Sequence, residues 1–320
     1  MIKTTQLQKS FRSGKGRKAT TVEAVRGVDL DVAESEIFGF LGPNGAGKTT
    51  TLRMLSTLLI PDGGTANIAG ADLLADPAEV RRRVGYVAQG GGTSDDVSAR
   101  EELVYQARMH GIGKAEAESR AAAALEAFEL TEFGDRMCKT YSGGQRRRVD
   151  IALGVIHRPQ VLFLDEPTAG LDPQSRAHMW EEVRRLRADG MTVFLTTHYL
   201  EEADALCDRI AIIDHGEIVA EGTPDELKRE ISGDVVAVAL SGSGIAEAAA
   251  ELLAAEGFVR ELDVRTEGTL RLHVDVGATA IPQIMRVLDG SGVEFGGIEL
   301  HRPSLDDVFL NKTGRSLRES

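Results

Sequence analysis

Short apolar, β-branched runs recur along the first two-thirds of the chain, separated by stretches of helical spacing. Ile37-Phe38-Gly39-Phe40-Leu41, Val84-Gly85-Tyr86-Val87, Val161-Leu162-Phe163-Leu164 and Thr192-Val193-Phe194-Leu195 have few polar positions. Strands that read this way, alternating with helical patterns, predict a mostly parallel sheet. Ile210–Ile213 and Glu217–Ala220 flank Asp214-His215-Gly216, which predicts a hairpin. From Glu101 to Ala127 the pattern is helical, with an alanine-rich centre, and reads as a helical insertion between two parts of the sheet. The composition shifts near Ile231-Ser232-Gly233-Asp234. Beyond it the order strand (235–240), helix (245–255), strand (259–265), strand (269–276), helix (281–288), strand (293–301) is the split βαβ, ferredoxin-like order. The reading is therefore α/β: a domain at 1–230 with a helical subdomain at about 90–158, then a small α+β domain at 231–320.

The chain has 320 residues, 42% hydrophobic and 27% charged, with a net charge of −13. That is room for one large domain and one small one. No run approaches the roughly 20 apolar residues that span a bilayer. Met1-Ile2-Lys3-Thr4 does not begin an apolar signal segment, so a membrane role would run through a partner. The acidic balance argues against broad nucleic-acid binding, which relies on Lys and Arg at the phosphate backbone. Arg81-Arg82-Arg83 and Arg146-Arg147-Arg148 each fall on a predicted helix and read as solvated faces or subunit contacts. Cys138 and Cys207 fit neither a disulfide framework nor a metal-ligand spacing and read as free thiols.

Gly42-Pro43-Asn44-Gly45-Ala46-Gly47-Lys48-Thr49 fits G-x-x-x-x-G-K-[ST] directly after a predicted strand. Glycines let backbone N–H groups turn inward around phosphate oxygens where a Cβ would intrude. The helix opening near Lys48 adds its positive dipole end. Lys48 supplies a charge to the β- and γ-phosphates and the Thr49 hydroxyl is placed to ligate Mg²⁺; Thr50 counts with the nucleotide-binding residues. The guanine-reading N-K-x-D pattern is missing, since Asn311-Lys312-Thr313-Gly314 lacks the Asp.

The strand Val161–Leu164 ends in Asp165-Glu166-Pro167. Asp165 would hold Mg²⁺ through its water shell, leaving Glu166 to orient and deprotonate an attacking water. Thr140-Tyr141-Ser142-Gly143-Gly144-Gln145 has capping-box form, and Ser142 with the bare glycine N–H groups makes a second anion site at a helix start. Two anion sites in one chain suggest a nucleotide shared between two copies.

Ser142-Gly143-Gly144-Gln145 resembles the signature of the ATP-binding-cassette (ABC) ATPases, with Tyr141 where leucine is commoner. The resemblance covers roughly Lys3 to Leu227. It implies a head-to-tail homodimer in which the signature of one copy closes on the γ-phosphate held by the other. Gln89 looks like the Q-loop glutamine that touches Mg²⁺ and water, Ala169-Gly170-Leu171-Asp172 like the loop that crosses the dimer, and His198 like the switch histidine. Phe11 is the candidate for stacking on the base, although Arg12–Lys18 is a longer polar insertion than the family usually has. Gly90-Gly91-Gly92-Thr93 lies where the family meets its permease. The segment Pro303–Leu310, with Thr313-Gly314, Tyr141, the Arg146 run and Thr196-Thr197-His198-Tyr199-Leu200, resembles the daunorubicin-resistance type of drug-export ATPase. The resemblance implies ATP and Mg²⁺ as ligands and a separate ABC-2 export permease as partner. It places the chain peripherally on the cytoplasmic face of the membrane. The alternatives are another exporter cargo, such as lipid, polysaccharide or ion, and a soluble ABC regulatory ATPase.

Overall fold

The computed structural model describes residues 1–13, 20–240, 246–265 and 269–315. They divide into two compact units, residues 1–221 and 222–315. The first unit opens with β1 (Ile2–Ser13), β2 (Thr20–Val32), β3 (Ile37–Leu41), α1 (Lys48–Leu55), β4 (Gly63–Ile68) and β5 (Ala71–Asp72). Next come α2 (Pro77–Arg83), β6 (Val84–Val87) and three longer helices, α3 (Ala99–Met109), α4 (Lys114–Ala127) and α5 (Gly143–Val155). It closes with β7 (Val161–Asp165), α6 (Pro173–Ala188), β8 (Thr192–Thr197), α7 (Leu200–Leu206), β9 (Arg209–Asp214) and β10 (Glu217–Gly222).

The predicted parallel sheet is present, in the order β10-β9-β3-β8-β7-β6, with β9, β3, β8, β7 and β6 parallel. Every residue of β3, β7 and β8 is buried, as their unbroken apolar runs require. Phe194 sits at their centre, its ring 5.5 Å from those of Phe38 and Phe40 and 5.8 Å from Phe163. In such sheets ligands bind beyond the carboxyl ends of the strands, where the loops after β3, β6, β7 and β8 lie side by side. The hairpin at β9–β10 turns on His215 and Gly216, both at positive φ (48° and 84°), as a type I′ turn demands.

A second sheet, β2-β1-β4-β5, is antiparallel, and the hydrophobic pattern did not predict it. Its strands carry many charged residues, and β1–β2 has three register shifts, which break the period-two signal. Of the polar insertion after Phe11, residues 14–18 lie outside the described residues. Helices α3, α4 and α5 fall within the predicted helical subdomain. The alanine-rich α4 buries Ala117, Ala121 and Leu125, one face at i, i+4 spacing.

The second unit runs α8 (Pro224–Ser232), β11 (Asp234–Leu240), α9 (Ala246–Ala254), β12 (Val259–Arg265), β13 (Thr269–Val274), α10 (Gly277–Gly290), β14 (Phe295–His301) and α11 (Leu305–Thr313). Its sheet is antiparallel in the order β12-β13-β11-β14, the ferredoxin-like arrangement expected from βαββαβ. The division at 221/222 differs from the composition shift at 230/231. Helix α8 groups with the second unit because it packs on α11, with Glu230 3.2 Å from Lys312. Among the described residues no helix is long and apolar enough to cross a membrane.

Candidate functional site: a phosphate cradle and a separate signature hollow

The loop between β3 and α1 is shaped by close backbone approaches. A Cβ on Gly42 would lie 2.3 Å from the Ile213 carbonyl oxygen, and one on Gly47 2.4 Å from that of Ala24. Gly47 also has φ 110°, a conformation that essentially only glycine adopts, and it caps α1. The Gly42 N–H donates to the Thr197 carbonyl at 3.3 Å, tying the loop to the end of β8. Lys48 is buried, and that burial pulls its ammonium below the usual lysine range; the nearby Glu166 and Asp165 carboxylates oppose the shift. Its Nζ donates to the carbonyls of Gly42 (2.7 Å) and Pro43 (3.1 Å) and lies 3.4 Å from Glu166 Oε1.

Four segments far apart in sequence converge here. Asp165 Oδ1 accepts from the hydroxyls of Thr49 (2.9 Å) and Thr196 (2.8 Å). Gln89 Nε2 donates to Glu166 Oε2 at 2.8 Å, and His198 Nδ1 sits 3.2 Å from the same oxygen, out of line for a hydrogen bond. Glu166 itself has φ 45°, unusual for a residue with a side chain, and its N–H donates to the Thr196 hydroxyl at 3.0 Å and to the Thr196 carbonyl at 3.1 Å. Thr196 thus positions both acids. The sequence reading named it only within Thr196-Thr197-His198-Tyr199-Leu200, since a threonine at a strand end carries no signal of that role.

Ser142–Gln145 contributes nothing to this cluster. Ser142 and Gln145 form the predicted capping box at the start of α5: the Gln145 N–H donates to Ser142 Oγ (3.2 Å) and the Ser142 N–H to Gln145 Oε1 (3.0 Å). Ser142 and Gly143 are exposed. Ser142, Gly144 and Gln145 line a hollow of about 350 Å³ with Glu129, Arg148, Ser175 and His178. Asp172 lies beside it as the N-cap of α6, its carboxylate accepting from the Ser175 hydroxyl (2.6 Å) and N–H (2.9 Å), which holds its pKa below the usual carboxylate range. Tyr141, in place of the commoner leucine, donates from its hydroxyl to the Phe133 carbonyl at 2.5 Å, and burial pushes that phenol up to about 12.

Phe11 is two-fifths exposed on β1, paired in register with Val22, two residues from the Ala24 carbonyl that abuts Gly47. Asn44 and Gly45 are exposed at the tip of the phosphate loop, Ala46 is buried beneath it, and Thr50 is half-buried on α1. Of the arginine runs, expected as solvated faces or subunit contacts, Arg81 and Arg82 are exposed, while Arg83, Arg146, Arg147 and Arg148 reach backbone carbonyls. Arg147 is 6% exposed, and its guanidinium donates to four backbone carbonyls. Arg146 and Arg148 donate to the carbonyls of Thr93 and Phe128, and Arg83 to that of Ala69. An arginine triplet fixes residue type but not which member faces inward.

The family profile described as ABC transporter matches residues 25–169, and that described as the DrrA1-3-like ATP-binding protein C-terminal domain matches 222–313. The daunorubicin resistance ATP-binding protein DrrA3 of Streptomyces coeruleorubidus is 45% identical over 92% of this chain and 93% of its own. The linearmycin resistance ATP-binding protein LnrL of Bacillus subtilis is 37% identical over 92% of this chain and 95% of its own. Among solved structures, the dimeric ATP-binding cassette MJ0796 in a post-hydrolysis state with ADP and Pi superposes with a TM-score of 0.63 at 27% identity, covering 70% of this chain and 98% of that one. The cradle at Lys48, the acids at the end of β7 and the capped signature helix thus sit in a cassette of known kind, and the chain belongs to the ABC transporter ATP-binding proteins of the daunorubicin-resistance type, as an ATPase.

Proposed function

We propose that this chain powers the export of drugs or other hydrophobic small molecules, working as a head-to-tail homodimer beneath a separate ABC-2 type permease on the cytoplasmic face of the membrane. One observation supports the reading: the loop at Lys48 and the helix start at Ser142, each suited by its sequence to an anion, do not meet within one chain. A second copy brings the two together across one nucleotide.

In each composite site the N–H groups of Asn44, Gly45 and residues 47–49 and the Lys48 ammonium hold the phosphates, and Phe11 offers its exposed face to the base. Thr49 and Asp165 present hard oxygens within 2.9 Å of each other, which suits Mg²⁺. No group of three or more His, Cys, Asp or Glu among the described residues would hold a metal, so ATP oxygens would complete its shell. Held by Thr49 and Asp165, Mg²⁺ would supply charge neutralisation at the phosphates. Glu166, contacted by Gln89 and His198, takes the proton of the attacking water. Ser142, Gly143 and Gly144 of the partner subunit bind the γ-phosphate at their helix start, with Gln145 and Asp172 beside them. ATP touches both copies and so favours the closed dimer; losing the γ-phosphate removes that link and lets it open.

The relatives' names support the cargo class, being resistance proteins for daunorubicin and linearmycin. Cells expressing this chain with its permease are expected to accumulate less of a fluorescent anthracycline than cells expressing the permease with a Lys48→Ala chain. Equal accumulation in the two would refute the export reading. A Ser142→Arg chain that still forms an ATP-dependent dimer in solution would refute the shared site.

A further inference from the structure

Between the signature and the catalytic acids lies a buried set of contacts to which the reaction assigns no role. On α5, Arg147 Nε donates to the Pro167 carbonyl at 2.8 Å, Nη1 to that of Ala88 at 2.7 Å and Nη2 to that of Asp165 at 3.2 Å. All three guanidinium nitrogens are therefore used in a site almost closed to water. Ala88 immediately precedes Gln89, and Asp165 and Pro167 flank Glu166. One turn further along α5, Asp150 Oδ1 accepts from the N–H groups of Gly92 (2.9 Å) and Thr93 (3.2 Å) and from the Thr93 hydroxyl (2.5 Å). A Cβ on Gly91 would lie 2.6 Å from Asp150 Oδ2, so that carboxylate fits only against a glycine. The glycine-rich loop 90–93 is held at Thr93, and both its grips come from the helix whose first turn is the signature.

We propose that Arg147 is a positioning residue that makes loop 88–93, the catalytic strand exit at 165–167 and the signature helix move as one body. A displacement delivered to the loop or to the first turn of α5 then reaches Glu166 and Gln89 through a single guanidinium. The inference rests on the shared-site reading for what pushes the helix, but not for the linkage itself. Lysine cannot replace Arg147, because one ammonium on a flexible stem does not match four divergent carbonyls, that of Glu166 included. Physical adjacency alone does not establish coupling, so the test must measure two segments together.

Hydrogen exchange on the nucleotide-free chain provides that measurement. In Arg147→Lys and Arg147→Met, amides of 88–93 and 165–168 are expected to exchange faster together, with β3 and α1 unchanged. Binding of a fluorescent ATP analogue should stay within about threefold, since Arg147 makes no contact with the phosphate loop, while kcat per folded molecule falls by about tenfold or more, of order 1.4 kcal/mol. Asp150→Asn, which keeps the Arg147 carbonyl contacts but removes a buried carboxylate 4.0 Å from its Nη1, should loosen 92–93 more than 165–168. Loss of protection at 88–93 alone in both Arg147 variants, a kcat within threefold of wild type, or rescue by lysine would each overturn the proposal. If the chain never forms an ATP-dependent dimer, the shared-site reading fails and the exchange result still decides the linkage.

Discussion

Glu166→Gln separates chemistry from binding most cleanly. The side chains are isosteric, so Gln89 keeps an oxygen to donate to, now 2.8 Å away on Glu166. Lys48 keeps the carbonyls of Gly42 and Pro43. What disappears is a carboxylate 3.4 Å from the Lys48 ammonium. At an effective dielectric of about 20 that pair attracts by ~5 kcal/mol before desolvation is counted, an attraction that an incoming triphosphate must displace. Without it, ATP affinity should hold or improve. Turnover depends on the lost base, and a positioned general base contributes roughly 10²- to 10⁴-fold, about 3–5 kcal/mol of barrier. The variant is therefore expected to release phosphate at least about 100-fold more slowly, yet to bind ATP no worse and to elute as a dimer in ATP by size exclusion with light scattering. A phosphate-release rate within threefold of wild type would refute the assignment of Glu166 as base.

Gly47→Ala must adopt a φ of 110° with its Cβ 2.4 Å from the Ala24 oxygen; a distortion of ~2 kcal/mol or more corresponds to about 30-fold weaker binding of a fluorescent ATP analogue. Tyr141→Phe removes one of the two donors to the Phe133 carbonyl, which keeps the Arg136 N–H at 2.8 Å; losing the tyrosine hydrogen bond at about 1 kcal/mol should lower the thermal denaturation midpoint by roughly 2–4 °C in a domain of this size. His157 donates to the Val84 carbonyl at 2.9 Å and stacks 3.8 Å from His110; burial lowers its pKa from 6.5 to about 4. Its folded pKa is depressed, so the unfolded chain binds the proton first: stability is full above pH 6.5, declines as pH falls towards 4, and is level below that. The loss is about 3 kcal/mol at most, and in urea titrations across that window His157→Gln should flatten the pH dependence.

How much the sequence disclosed follows from how local each signal is. The phosphate loop was readable because Gly42 to Thr49 carry their geometry in eight adjacent residues. The parallel strands were readable because burial on both faces leaves unbroken apolar runs. The β1–β2 sheet escaped because Gly27, at φ 90°, and the register shifts interrupt an alternation already diluted by charge. Arg147 and Asp150 escaped for a different reason. Their partners lie 18 to 59 residues away, and nothing in an arginine triplet reports which member meets them. The boundary moved to 221/222 because α8 joins its unit through side-chain packing on α11, which composition does not encode.

The left-handed backbone at Glu166 bears on how this protein would respond to selection. A side chain there holds a conformation about 1 kcal/mol less favourable than a relaxed one, and glycine would release most of that. That relief would be outweighed, because Glu166→Gly strips the buried Lys48 ammonium of a carboxylate 3.4 Å away and Gln89 of its acceptor, so selection for survival of heating alone would retain the acid and hold stability and turnover to the same residue.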